Sequence, residues 1–507
     1  MTLPASIMPA IRPPWRTRNP GARQERLLRA LLSRAAHTEW GRRLDFARIA
    51  SAEDVVAAYQ EHVPLHTYDD LGADVQRMRA GEGDIVWPGS VRHFAVSGGT
   101  TSTGRIIPVS QDTLRKNWRF GVSAVLGYLG RARNFRYIGG KHLSLPGRIE
   151  EDPAFPGTLI GEVSGLQYDY VPAYFKVLLQ AVPDRLMYLP HWEKKLRSIV
   201  DHTVDMDIRS VTMAPTWAFP LFQMLLARHR EKYSSGAACV GDVWPNLQLF
   251  IAGGVALSSY RAIIERMIGL PDMDFLETYG ASEGFFAHQD DLSDPAMRLR
   301  LDSGVFYEFI PMSELGASAP TRETVATVEP GVRYAMAVTT CSGLWAYQIG
   351  DVVRFTETVP PRLVVAGRTA EVIDRYGESV FGEEAATAIE NACRATGAQV
   401  LHFHVAPGVA TVERLPSLQW LIEFAAPPQS VQEFATVMDC HLRTVNRHYQ
   451  IRREAHAFCG PDIVNLPRGA FYAWLNSGGR RVGGQTKVPR MSDDRSIAEV
   501  LLSIAGQ

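Results

Sequence analysis

Lysine is nearly absent from this chain. Of its 53 basic residues only seven are lysines, and after Lys232 the single one is Lys487. Any chemistry that needs an ammonium group in the C-terminal region has one candidate. Cysteine is also sparse: Cys239, Cys341, Cys393, Cys440 and Cys459 lie far apart, with no C-x-x-C pair. That spacing excludes a disulfide framework and fits reduced thiols. A net charge of −1 argues against a basic nucleic-acid surface and a polybasic membrane patch. No apolar run approaches the roughly 18 residues of a spanning helix, and Met1 to Arg23 is Pro- and Arg-rich without a signal-type apolar core. These absences predict a cytoplasmic protein, monomeric by default, that partners neither nucleic acid nor membrane. What is present is ordinary globular composition: 507 residues, 46% hydrophobic and 21% charged, length for roughly two to four domains around a large core.

Leucines at i, i+3 and i+4 predict a helix over 24–32. Ser51 reads as the N-cap of a second, with Asp54 three residues on. A long helix is expected over 110–129, capped by Ser110 or Asp112, and others over 191–200 and 218–228. Buried strands are expected at 211–215, 244–254 and 273–279. Strands alternating with helices imply α/β layers. A polar stretch, 369–379, then precedes a helix over 383–394, and the domain boundary falls there. Beyond it lie a strand at 419–424, a helix at 430–447 and a Gly-rich loop around Lys487. His402 and His404, neighbours on one face of a strand, complete no metal set and read as structural or surface residues.

The densest chemistry is Ser97-Gly98-Gly99-Thr100-Thr101-Ser102-Thr103-Gly104-Arg105, between two β-prone runs. Three glycines let the backbone approach a ligand, five hydroxyls and a guanidinium supply donors, and such a loop can wrap phosphate oxygens. It reads as a cradle for the β- and γ-phosphates of ATP; a plain tight turn is the alternative. A Walker A loop does not fit, because Arg105-Ile106 and a strand follow where Lys, Ser/Thr and a helix are required.

Two further stretches bear on a nucleotide. Gly253-Gly254 ends a strand, where a flat ligand can lie on the backbone, or simply makes a strand–helix turn. Tyr279-Gly280-Ala281-Ser282-Glu283-Gly284 contains G-x-S-x-G, the serine-hydrolase elbow. That assignment requires a following helix and an acid–histidine pair; Asp351 with His402 or His404 is the one available. The other reading stacks Tyr279 on adenine, sets the backbone of Gly280, Ala281 and Ser282 against the α-phosphate, and gives Glu283 to Mg²⁺ held also by phosphates. Asp351 is either a turn residue or the acceptor of both ribose hydroxyls.

Taken in order, the motifs resemble the Gretchen Hagen Three family of acyl acid amido synthetases, the auxin-responsive branch of the adenylate-forming superfamily. The stretches that carry the likeness are His37-Thr38-Glu39-Trp40-Gly41, Val63-Pro64-Leu65, the loop Ser97 to Arg105, and Tyr279 to Gly284. Tyr307-Glu308-Phe309-Ile310-Pro311, the run from Gly343-Leu344-Trp345 to Val353, and Gln485-Thr486-Lys487-Val488-Pro489-Arg490 continue it. The resemblance implies an α/β protein: a large N-terminal domain of mixed β-sheets flanked by helices (1–368), a hinge (369–379) and a smaller mobile α/β domain (380–507) carrying Lys487. It implies Arg368 as a nucleotide contact and Lys487, Arg105 and Glu283 as the catalytic set. It also implies ATP and Mg²⁺, with a carboxylic acid and an amine, an amino acid, as partners. The chain departs from the family pattern at Arg105, where Lys is usual, at Ala346 and Gln348, where Arg is frequent, and at Glu378-Ser379.

The implied reaction makes an acyl-adenylate and pyrophosphate, then passes the acyl group to the amine. Acyl-pocket residues are expected in 115–225 and around 305–340. Rival readings are an acid–thiol (coenzyme A) ligase with the same first step, a serine esterase using Ser282, and a non-catalytic nucleotide binder.

Overall fold

A computed structural model describes residues 19–506 apart from 97–104, 133–138, 190–191, 234–235, 256, 370, 374–377, 379, 409–416, 455–457 and 478–487. Its main sheet has ten strands and changes character partway across. Lys141–Ser144, Ile208–Met213, Leu249–Gly253 and Asp274–Ala281 run parallel. Gly284–Gln289, Met297–Leu299, Pro361–Arg368, Tyr347–Thr358, Arg333–Thr340 and Val305–Pro311 then continue it antiparallel.

The parallel half is covered on both faces, as continuous apolar strands require. In Leu249–Gly253, Phe250 and Ala252 pack with helices Trp192–Thr203, Pro215–Tyr233 and Ser258–Ile268 through Ile199, Phe222 and Ile264. Leu249 and Ile251 face the other way, against Ala124, Tyr128 and Leu129 of helix Gln111–Ala132. The antiparallel half packs with the N-terminal helices through Leu28, Trp40, Phe306, Trp345 and Phe355. Helix Pro20–Ala35 starts on Asn19, whose side chain accepts from Ala22 N at 3.0 Å, with Pro20 in the first turn where a missing N–H does no harm.

The expected Ser51 cap is not one. Ser51 closes helix Phe46–Ser51, and Asp54 caps the next, Val55–His62, accepting from Val56 N at 3.1 Å and Ala57 N at 3.0 Å. A carboxylate there also meets the positive end of the helix dipole. Ser110 does cap its helix, accepting from Thr113 N at 3.2 Å.

A four-stranded sheet pairs Ile106–Pro108 antiparallel with His93–Val96, so the glycine-rich loop joins two paired strands. Ser97, Gly98, Gly99, Thr100, Thr101, Ser102, Thr103 and Gly104 lie outside the described residues. In the C-terminal region, helix Gly382–Thr396 ends on Gly397 at φ +71°, a conformation glycine adopts without strain. With Val431–Val445 it packs on a sheet of Gln399–Pro407, Leu418–Ala426 and Asp462–Leu466 around Ile389, Trp420 and Phe434. Glu383 and Glu384, in the first turn of that helix, pair with Arg354 at 2.6 Å and Arg333 at 2.8 Å on the main sheet. Of the two readings left for His402 and His404 the structural one fits: His404 is buried and His402 half-buried. Burial holds both imidazoles down at about 4, so they are neutral. Among the described residues no helix is long and apolar enough to cross a membrane, and no group of three or more His, Cys, Asp or Glu side chains is placed to hold a metal.

Candidate active site

Four parallel strands ending on one side leave a crevice at their carboxyl ends, the usual ligand position in α/β sheets. Here it is a cleft of about 2650 Å³, and its lining includes Thr212, Met213, Gly253, Gly254 and the run from Glu277 to Glu283. Gly254 takes φ +83°, and a Cβ on Gly253 would sit 2.8 Å from the Thr278 hydroxyl oxygen. Both glycines therefore keep the strand end low and bare.

The hydrolase elbow does not form. Asp274–Ala281 folds straight back into Gly284–Gln289, with Ala281 opposite Gly284 and Ser282-Glu283 at the tip. A strand–turn–strand lacks the helix N-terminus that an elbow offers. Asp351 is engaged elsewhere, and His404 Nδ1 donates to the Pro489 carbonyl at 2.7 Å. We expect an alkyl fluorophosphonate to leave Ser282 unmodified without ATP, by mass spectrometry of the intact protein; stoichiometric labelling of Ser282 would restore the esterase reading.

The polar set instead centres on Asp351. The Tyr279 hydroxyl donates to its Oδ2 at 2.9 Å, and Arg368 Nε lies 3.2 Å from its Oδ1. Strand pairing places Asp351 opposite Arg368, which explains the contact. Burial lifts the Glu283 carboxyl up to about 7; the Asp351 charge pushes the same way, while Arg368 and Arg105 oppose it. Burial also raises the Tyr279 phenol, helped by Asp351. The Tyr347 phenol is raised by burial and by Glu283 and lowered by Arg105. Residues from four separate stretches thus share one field.

Gly253, Gly254, Tyr279, Gly280, Ala281, Ser282, Glu283, Asp351, Arg368 and Arg105 all line this cleft. Lys487 lies outside the described residues, but Val488, Pro489 and Arg490 line it. The pocket expectation is half corrected. Residues 117–126, 142–146, 164–180 and 212–224 contribute to the lining, but no described residue in 305–340 does. Those residues belong to strands at the far antiparallel edge. Two groups escaped sequence reasoning. Tyr347 is fully buried, one aromatic among several in its stretch, and nothing local in the sequence singles it out. Glu277 is half-buried, accepts from Leu257 N at 2.9 Å, and its carboxyl is raised by burial. Its signal was available: two residues before Tyr279, it shares a strand face with it.

Comparison with known proteins adds the following. The GH3 family N-terminal domain matches residues 16–168, the GH3 family central domain 299–368 and the GH3 family C-terminal domain 383–496. An indole-3-acetic acid-amido synthetase GH3.8 of Oryza sativa subsp. indica is 25% identical, the alignment covering 96% of this chain and 90% of that protein. Indole-3-acetic acid-amido synthetase GH3.4 of Arabidopsis thaliana is 22% identical over 96% and 91%. Among solved structures, the GH3.15 acyl acid amido synthetase superposes with a TM-score of 0.75 at 16% identity, covering 96% of this chain and 94% of that one. A 2-hydroxyisobutyryl-CoA ligase in the postadenylation state, with 2-HIB-AMP, gives 0.60 at 12% over 96% and 92%.

Proposed function

The chain belongs to the GH3 family, and from that premise we propose that it is an ATP-dependent acyl acid amido synthetase. It adenylates a carboxylic acid and passes the acyl group to an amine, an amino acid. The observation that carries this reading is the convergence of Arg105, Tyr279, Glu283, Asp351 and Arg368 on one cleft, from stretches the sequence spreads over more than half its length.

A free carboxylate resists attack by an amine; as a mixed anhydride with AMP it has a good leaving group. The carboxylate oxygen attacks the α-phosphorus, and the bond to the bridging oxygen breaks to release pyrophosphate. Charge builds on phosphoryl oxygens, so oriented donors and cations carry the step. In this reading the loop 97–104 holds the β- and γ-phosphates, Tyr279 meets adenine, and the Gly280–Ser282 backbone faces the α-phosphate. Gly253 and Gly254 let the nucleotide lie flat. Arg105 and Lys487 are the cations. Asp351 takes the ribose hydroxyls, oriented by Tyr279 and Arg368. Glu283 suits Mg²⁺: it is a buried carboxylate beside the Asp351 charge, held up by desolvation, and a hard cation shared with phosphates asks for little more. When bound, that ion supplies neutralisation of phosphate charge. Then the amine nitrogen attacks the acyl carbon, AMP leaves, and the amine loses a proton. We assign 1–368 to adenylation, 369–379 to a hinge and 380–507 to a mobile domain that turns between the two steps. A reaction that consumes ATP, in a chain with five free cysteines, fits the cytoplasm.

The test is pyrophosphate exchange over aryl, indolyl, fatty and hydroxy acids, followed by product analysis with amino acids and with coenzyme A. Exchange followed by thioester and no amide would transfer the chain to the thiol-ligase reading; no exchange with any acid would remove the proposal. For Asp351→Asn we expect the KM for ATP to rise about ten- to a hundredfold with kcat less affected, the scale of one hydrogen bond to a charged group. An unchanged KM would take the ribose from Asp351.

A further inference from the structure

The two side chains that fit least well in the cleft wall are amides. Asn117 is 1% exposed, and neither its Oδ1 nor its Nδ2 has a hydrogen-bond partner. Gln167 is in the same condition at both Oε1 and Nε2. Asn117 lies on helix Gln111–Ala132 and Gln167 on helix Val163–Tyr170; the two helices pack together, and both residues line the cleft. Leaving a buried amide unpaired costs about 1–3 kcal/mol per group, so four orphaned atoms on one wall need an explanation.

Around them the wall is apolar and aromatic, with Trp118, Phe175, Leu179 and Met224. Trp118 meets Phe175 edge-on at 5.1 Å. Charge is the third element. Among the described residues from 106 to 253 no Lys or Arg lines the cleft, and His142, which does, is held neutral by burial. An amide donates and accepts, so it matches a hydroxyl, a carbonyl or a ring N–H, whereas a second carboxylate calls for a cation.

Resting on the acyl-adenylating reading above, we propose that Asn117 and Gln167 select the acid: a carboxylic acid with a ring-sized apolar body that carries, away from its carboxyl, a neutral hydrogen-bonding group. The apolar wall supplies affinity and the two amides supply discrimination. A site built to pair a hydroxyl rejects the analogue without it far more strongly than a greasy pocket rejects a missing methylene.

The experiment uses the full-length protein and three acids of one skeleton: 3-phenylpropanoic acid, its 4-hydroxy derivative and its 4-carboxy derivative. Binding is measured calorimetrically with and without a non-hydrolysable ATP analogue, and pyrophosphate exchange is measured alongside. The hydroxy acid is expected to bind at least tenfold more tightly than the parent, and the dicarboxylic acid weakest. In Asn117→Leu and, separately, Gln167→Leu, that preference falls below threefold or inverts while affinity for the ATP analogue stays within twofold. Gln167, half-buried, provides the second variant should Asn117→Leu fold poorly. Equal binding of the three acids, binding of none, or an unchanged preference in both variants would mean that buried water satisfies the amides, and the proposal falls. Preferential binding of the hydroxy acid without any exchange would leave the selectivity in place and overturn adenylation instead.

Discussion

Lys487→Ala is expected to lower acid-dependent pyrophosphate exchange by about 10²–10³, the effect of removing one donor aimed at developing charge, while binding of an ATP analogue persists. Lys487 itself lies outside the described residues. One residue on, Val488 lines the cleft, and the following segment is tied down there. The Pro489 carbonyl meets His404 Nδ1 at 2.7 Å, Val405 N donates to Arg490 O at 2.8 Å, and Arg490 N donates to Glu371 at 3.3 Å. No other lysine follows Lys232, hence no second ammonium of that region can substitute. Arg105→Lys is the control: charge is kept and only the planar fork is lost, so exchange should stay within about tenfold. Exchange rates in Lys487→Ala equal to the unaltered protein's would remove the lysine from adenylation and leave Arg105 as the proposed cation.

The residues proposed for the nucleotide could be picked out in the amino-acid order because each motif is local, although the cleft that gathers them is not. A glycine pair at a strand end, a Tyr two residues from a turn, and an Asp after a Gly in a hairpin declare themselves within a few residues. The pattern of buried positions also announced Asp274–Ala281 and Leu249–Gly253 as strands. Local chemistry left two readings open at Ser282, where G-x-S-x-G is shared by an elbow and a hairpin; what separates them is the strand after Gly284, made by Phe285 and Phe286 packing across to Gly280 and Tyr279. The pocket escaped for the opposite reason. Asn117 and Gln167 are ordinary helix residues in sequence, and only packing of their two helices strips them of solvent. The expected contribution of 305–340 failed likewise: alternating aromatics there are buried on both sides of a sheet far from the crevice, a fact of strand order that no window along the chain contains.

Glu308 shows what that far edge does, and its loss should be the most damaging to stability. The resemblance to the family drew on Tyr307-Glu308-Phe309-Ile310-Pro311, where Glu308 could be taken for a functional acid. It is instead fully buried, and its oxygens accept from Arg322 Nε at 2.8 Å, Arg322 Nη2 at 2.9 Å and Gln60 Nε2 at 3.1 Å. Arg322 Nη1 donates in turn to the carbonyls of Gln60 at 3.1 Å and Val63 at 2.7 Å, and its guanidinium lies 5.7 Å from the Tyr59 ring. The pair pins the end of helix Val55–His62 to strand Val305–Pro311. Glu308→Gln keeps the shape but strands a guanidinium without its counter-charge, and breaking such a pair from one side costs about 3–5 kcal/mol. The expected result is an unfolding free energy lowered by that amount in a denaturant titration, with kcat of the folded enzyme little changed, since no described residue from 305 to 340 reaches the cleft. Replacing both partners together, Glu308→Met with Arg322→Leu, removes the orphaned charge as well as the bond, and should recover most of the loss. A single substitution that shifts stability by less than about 1 kcal/mol would deny the pair its structural role, and one that abolishes pyrophosphate exchange while the fold survives would make Glu308 a functional acid and reopen the question of where the cleft ends.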